Sequence, residues 1–190
     1  MKNVLLLAIG FLVFGMSCTN DDPCPDADHP LDDLVTTLIT SDSYANEVGF
    51  ANEAHEYSFR FDTDGTLCSV GYESSNTIGD YVIQIRDSQN NSLLDESFNF
   101  PKGLVTYRAI PEINILANQE YTITRVCVDC QQDSLLIGRV TKATNSPFNP
   151  DLDLPKSNLG FTVTSANLFG NDPLISVAIP RIELGFEEAE

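Results

Sequence analysis

Along residues 55–63 the chain alternates: Tyr57, Phe59 and Phe61 fall on one side of an extended strand, and Glu56, Ser58, Arg60 and Asp62 on the other. That two-residue period describes a half-buried β-strand. Asp64-Gly65 follows as turn chemistry, and residues 66–73 form a second strand. Residues 79–87 put Tyr81, Ile83 and Ile85 on one face. Residues 93–100 return after the polar stretch Ser88-Gln89-Asn90-Asn91-Ser92, so these two strands pair as a hairpin. Residues 104–110, 121–128, 135–142, 159–167 and 175–187 complete about nine strands, with Gly, Asn, Asp, Ser and Pro between them at intervals of roughly ten residues. No window of helical length carries a sustained 3.6-residue apolar stripe. The pattern predicts an all-β fold: a single antiparallel β-sandwich, jelly-roll or immunoglobulin-like, over residues 34–190.

Two local irregularities refine this. Ile175, Val177 and Ile179 share a face, but the alternation slips by one at Pro180-Arg181, after which Ile182, Leu184 and Phe186 take over. A bulge or bend at Pro180 in an edge strand would absorb the slip. Residues 145–158 hold Pro147, Pro150 and Pro155 with Asp151 and Asp153 between them, a long loop without periodicity that is either functional or loosely ordered.

The first 33 residues have a different texture. Lys2 precedes an unbroken apolar run over residues 4–16, too short for the ~20 residues that cross a bilayer as a helix and suited to a signal peptide. Ser17-Cys18 ends that run and resembles the lipobox of bacterial lipoproteins, in which the cysteine thiol receives diacylglycerol and the freed amine is acylated; Gly15 stands where that pattern commonly has a branched aliphatic residue. The expected organisation is a lipoprotein signal peptide over residues 1–17, an acidic tether over 18–33 and the sandwich thereafter. The tether, with Asp21-Asp22 close to Cys18, resembles the export signal of surface-exposed lipoproteins in Bacteroidota. The resemblance implies an outer-membrane location with the lipid as membrane partner, surface-exposed or on the periplasmic face. Three acyl chains on Cys18 would hold far more firmly than a single myristoyl group.

Charge removes one class of partner. The chain carries 10 Lys+Arg against 28 Asp+Glu, a formal charge of −18 that becomes −19 when Lys2 leaves with the leader. Phosphate backbones are repelled by such a surface. The arginines, Arg60, Arg86, Arg108, Arg125, Arg139 and Arg181, are spread singly through strand-like segments, so no basic cluster restores nucleic-acid binding.

From Glu56 to Val126 the residues also resemble a family of uncharacterised β-sandwich domains of bacterial surface and secreted proteins, often found beside immunoglobulin-like repeats and carbohydrate-active modules. The likeness runs through Glu56-Tyr57-Ser58-Phe59-Arg60-Phe61, Gly65-Thr66-Leu67-Cys68-Ser69-Val70-Gly71-Tyr72 and Tyr81-Val82-Ile83-Gln84-Ile85-Arg86-Asp87. It continues through Ser92-Leu93-Leu94 and Ser97-Phe98 to the stretch Ile113-Asn114-Ile115-Leu116-Ala117-Asn118-Gln119-Glu120-Tyr121-Thr122-Ile123. Tryptophans that such domains tend to carry after the third strand and before the penultimate one are absent; Arg86 and Leu104 stand near those points. The resemblance implies fold and setting, and no site residues.

Four cysteines besides Cys18 remain after the leader: Cys24, Cys68, Cys127 and Cys130. An even number in an extracytoplasmic protein suggests two disulfides. The leading arrangement pairs Cys127 with Cys130, where Gln131-Gln132-Asp133-Ser134 ends the strand, and Cys24 with Cys68. Crossed bonds or free thiols, a four-cysteine zinc site and a redox role for Cys127-Val128-Asp129-Cys130 stand behind it, the last disfavoured by the acidic Asp129. Asp62-Thr63-Asp64-Gly65 resembles the opening of a calcium loop, to which Asp151 and Asp153 could contribute from elsewhere, but a strand-connecting turn explains it more simply. Tyr44, Tyr72, Tyr81 and Tyr107 suit a core better than a sugar-stacking platform. Tyr121 suits the tyrosine corner of sandwiches. Asp133-Ser134-Leu135 matches a short O-glycosylation pattern of Bacteroidota extracytoplasmic proteins, with Ser134 as acceptor.

His29 in the tether and His55 at a strand start give little material for nucleophilic catalysis, and no Gly-x-Ser-x-Gly or HExxH motif occurs. No organic cofactor is called for. The expectation is a non-enzymatic, lipid-anchored binding module of the cell envelope that meets a glycan or a protein through inter-strand loops. A structural accessory lipoprotein of an envelope complex is the alternative, and a glycan hydrolase or lyase using paired carboxylates a more distant one.

Overall fold

A computed structural model of the protein describes residues 23–41, 44–50, 54–74, 78–128, 136–143, 153–167 and 178–189. In chain order the elements are helix α1 (Pro30–Ser41), then β1 (Tyr44–Phe50), β2 (Ala54–Phe61), β3 (Gly65–Tyr72), β4 (Ile78–Asp87), β5 (Ser92–Pro101) and β6 (Thr106–Ile115). They continue as β7 (Tyr121–Cys127), β8 (Leu136–Ala143), β9 (Lys156–Asn158), β10 (Phe161–Asn167), β11 (Ile179–Pro180) and β12 (Glu183–Glu188). Six strands form the larger sheet in the order β5-β4-β7-β2-β10-β9, with β12-β3-β6 and β1-β8-β11 as smaller sheets. Every strand pairing within them is antiparallel. The chain is thus an all-β sandwich, as the alternation predicts, and the hairpin of β4 with β5 forms in register from Ile78 opposite Pro101 to Arg86 opposite Ser92.

Aromatic side chains join the layers. Tyr57, Phe59 and Phe61 of β2 all turn inward and are buried. Phe59 lies 5.9 Å from Tyr121 of β7 and 5.9 Å from Phe161 of β10, centroid to centroid. Phe61 stacks on Phe186 of β12 at 3.8 Å and 15°, which ties the six-stranded sheet to β12-β3-β6. Each such ring removed from water is worth about 1.5–3 kcal/mol, so this row is a large share of what holds the two sheets face to face.

Three expectations need correction. First, a helix is present. Leu31, Leu34, Val35 and Leu38 of α1 are buried at the i, i+3, i+4, i+7 spacing of one helical face. Pro30 occupies the first turn, where its missing N–H costs nothing, and Asp32 and Asp33 place negative charge at the positive end of the helix dipole. The β-branched residues Val35, Thr36, Thr37, Ile39 and Thr40 disfavour a helix locally, and burial of the leucines against the sandwich outweighs that preference.

Second, the described part of the expected tether, from residue 23 to Asp33, is folded onto the domain. Asp28 exchanges two backbone hydrogen bonds with Phe186 of β12, at 2.9 and 3.0 Å, and the ring of His29 lies 4.3 Å from that of Tyr107. Cys24 is buried and joined to Cys68. A stretch rich in Asp and Pro has taken its apolar contacts from Cys24, Pro30 and Leu31, which a composition average hides.

Third, the described residues alone form twelve strands, where about nine are expected. The slip at Pro180-Arg181 is a change of sheet: β11 pairs with β8, whereas β12 pairs with β3. Pro180 ends β11 at the edge of the β1-β8-β11 sheet, where a residue without N–H is tolerated. Likewise Asp64-Gly65 leads from β2 in one sheet to β3 in another. A Cβ on Gly65 would collide with the ring of Phe186 and the carbonyl of Glu187, so glycine is required there by close approach.

Candidate functional site

The two ends of the sandwich differ. At one end the connections are tied together by backbone hydrogen bonds: Asn118 N–H donates to Phe61 O at 2.7 Å, Asp62 N–H to Gly160 O at 2.8 Å, and Ala189 N–H to Asp64 O at 3.0 Å. Leu116 N–H donates to the Tyr121 hydroxyl at 2.9 Å, so Tyr121 is the corner residue that its sequence position suggests. The first described residues run into this end, where Asp28 meets Phe186.

A cleft of about 110 Å³ lies here, floored by Phe61 and Phe186 and rimmed by Asp28, Asp33 and Glu188. It is smaller than the ~300 Å³ at which pockets begin to enclose drug-sized ligands. Asp62 and Asp64 flank the lining residue Thr63 in sequence, and Asp64 Oδ1 accepts from Ala117 N–H at 2.6 Å, which ties the β2–β3 turn to the connection between β6 and β7. Asp153 is exposed, and Asp151 lies outside the described residues. These carboxylates do not gather into a calcium site among the described residues. There, the one trio with ligand atoms in mutual reach is Cys24, Cys68 and Glu187, two of which are committed to a disulfide.

The cysteines divide as follows. Cys24 and Cys68 form the expected bond across 44 positions of sequence, Cα to Cα 6.1 Å. Cys127 is disulfide-bonded as well. Cys130, Cys18 and Ser134 lie outside the described residues.

The other end of the sandwich holds an arginine that alternation alone should have flagged. Tyr121, Ile123 and Arg125 are two residues apart on β7, so all three face inward, and Arg125 has no exposed surface. It lies opposite His55 on β2 and Ile83 on β4, about 13 Å along the strand from Tyr121. Its guanidinium carbon sits 5.1 Å from the ring centroid of Tyr81 and 5.4 Å from that of Tyr72. These two rings meet edge to face at 5.0 Å, and the Tyr81 hydroxyl is hydrogen-bonded to Ser74 Oγ at 2.9 Å. Tyr72 and Tyr81 are therefore core residues, as is Tyr44, while Tyr107 is half-buried beside His29; they form no sugar-stacking platform.

A second buried cation is satisfied in a different way. Arg181, in the turn between β11 and β12, donates from Nε to Glu183 Oε1 at 2.7 Å and from Nη2 to Asp32 Oδ1 of α1 at 2.6 Å. In the sequence Arg125 and Arg181 stand out only as single charges in strand-like segments. The inward position of Arg125 follows from strand parity along β7, whereas that of Arg181 follows only once the change of sheet at Pro180 is known. No family model matches the chain, and a search of curated proteins returns no match.

Proposed function

We propose that this protein is a lipid-anchored, non-enzymatic binding module of the bacterial cell envelope, of the uncharacterised β-sandwich type it resembles between Glu56 and Val126. Its ligand is a glycan or a protein, held at the end of the sandwich remote from the tether. The observation that carries this reading is the Cys24–Cys68 disulfide. It fits an oxidising, extracytoplasmic compartment. It also lies six positions after Cys18, so a lipid on Cys18 would leave a very short free leash of ~20 Å at full extension. A domain clamped this close to a membrane by one end has its opposite end, built around Tyr72, Tyr81 and Arg125, free for partners. The cleft of about 110 Å³ beside Phe61 and Phe186 is too small to engulf a drug-sized molecule, which fits recognition by loops and surface.

Fractionation tests the anchor. The full chain should sediment with membranes, and Cys18→Ala should move it to the soluble fraction; unchanged membrane association would refute lipidation at Cys18. Glycan-array binding and pull-down with the same full chain then identify the ligand. Turnover of a polysaccharide, abolished by changing one carboxylate, would overturn the non-enzymatic reading.

A further inference from the structure

Arg125 is the one fully buried cation among the described residues whose guanidinium meets no acceptor there: Nε, Nη1 and Nη2 are all enclosed, and none has a hydrogen-bond partner. Arg181 shows how the same fold satisfies a buried guanidinium when it supplies the counter-charge itself. At Arg125 it supplies ring faces instead, those of Tyr72 and Tyr81. A desolvated cation–π contact recovers only part of what removing a charge from water costs, even after relaxation. Ring faces also leave the guanidinium edge unanswered, because its five N–H groups point outward in its own plane. Burial pushes the Tyr72 hydroxyl well above its usual value of 10, so a phenolate is not the missing negative charge.

We propose that Arg125 is the binding residue of an anion site at this end of the sandwich, taking a compact carboxylate edge-on to its guanidinium, whose carbon lies over the rings of Tyr72 and Tyr81. The planar fork matches a carboxylate in two parallel N–H···O bonds. The site is close to solvent: Val128, three residues further along, is more than half exposed, which puts Arg125 within about 10 Å of the surface along the strand. Ser74, by fixing the Tyr81 hydroxyl, holds one wall in place. This inference goes beyond the anchored-module reading and stands on Arg125 alone, whether or not Cys18 carries lipid.

The test is thermal unfolding of the purified full chain in sodium formate, with ionic strength held constant by a bulky sulfonate buffer. Wild type should gain about 3–6 °C at formate ten-fold above its apparent Kd, saturably, with a change in tyrosine near-UV circular dichroism. Arg125→Met should fold, since an apolar side chain of similar length removes an unpaired buried charge, and should lose the formate response. A formate-independent Tm and a flat spectrum in wild type, or an equal response in Arg125→Met, overturns the proposal. Should Arg125→Met fail to fold, Arg125→Lys decides: losing the fork should weaken formate at least ten-fold, and equal affinity counts against the site.

Discussion

Glu183, which has no exposed surface, receives the Arg181 guanidinium at 2.7 Å, and the same guanidinium reaches Asp32 on the helix. The two contacts are unequal. Asp32 is more than half exposed, so its pair is worth about 0.2–1 kcal/mol, while Glu183 in its dry site has Arg181 as its main counter-charge, ahead of His29. Arg181→Ala should therefore cost about 3–5 kcal/mol in chemical denaturation, and Asp32→Asn no more than about 1 kcal/mol. Equal losses would show that the helix contact, and not the buried carboxylate, carries the pair.

The same carboxylate gives the domain a pH signature. Burial, opposed in part by Arg181, holds the Glu183 carboxyl above its usual value of 4.5. Folded protein then keeps a proton that the unfolded chain has released, so unfolding releases a proton between 4.5 and the raised folded value. The contribution is complete below 4.5 and is lost as pH rises through the folded value. Measured against Glu183→Gln, wild type should lose relative stability on going upward from pH 4.5. Asp87 acts with the opposite sign: hydrogen bonds from the side chain and backbone of Asn91, with that of Gln89 N–H, hold its carboxyl below 3.8, and what it contributes is lost only as pH falls.

Breaking Cys24–Cys68 should be costly. Its 44-position loop corresponds to about 4 kcal/mol of unfolded-state entropy. A Cys24→Ser/Cys68→Ser protein, compared with wild type before and after reduction, should have a lowered Tm that reductant lowers no further through this bond.

Leu31 distinguishes a tether from a folded segment. As part of a linker it would tolerate alanine; as a fully buried member of the core it should cost about 2–5 kcal/mol on Leu31→Ala. The neighbouring Asp33→Ala, an exposed position, should stay within about 0.5 kcal/mol.

Tyr121→Phe removes the oxygen that accepts from Leu116 N–H while keeping the ring against Phe59. A loss of about 1 kcal/mol is expected, with the burial of the ring unchanged.

What the chain disclosed in advance depended on period. Strands such as β2, with Tyr57, Phe59 and Phe61 in strict alternation, announce both their type and their inner face. Helix α1 concealed itself because its leucine stripe is short and is interleaved with threonines and an isoleucine that look like strand. The pairing of Cys24 with Cys68 was accessible by elimination, whereas the partners of Arg125 and Arg181 are set by which sheets meet, and that is long-range information. Asp62 and Asp64 looked like ligands because metal loops and tight turns draw on the same residues; the acceptor role of Asp64 toward Ala117 separates the two.

The pairing of Asp28 with Phe186 brings the opening of the domain against its close. Strand β12 pairs with β3 on one side and is bridged by Asp28 on the other, so it joins the opening segment to the small sheet. Helix α1 and β3 therefore take part of their packing from Glu183–Glu188, a contact remote in sequence that costs loop-closure entropy before it is repaid. Removing residues 181–190 would leave Leu67, Val70 and Phe61 without the strand that covers them, which makes β12 the closing stave of the sandwich.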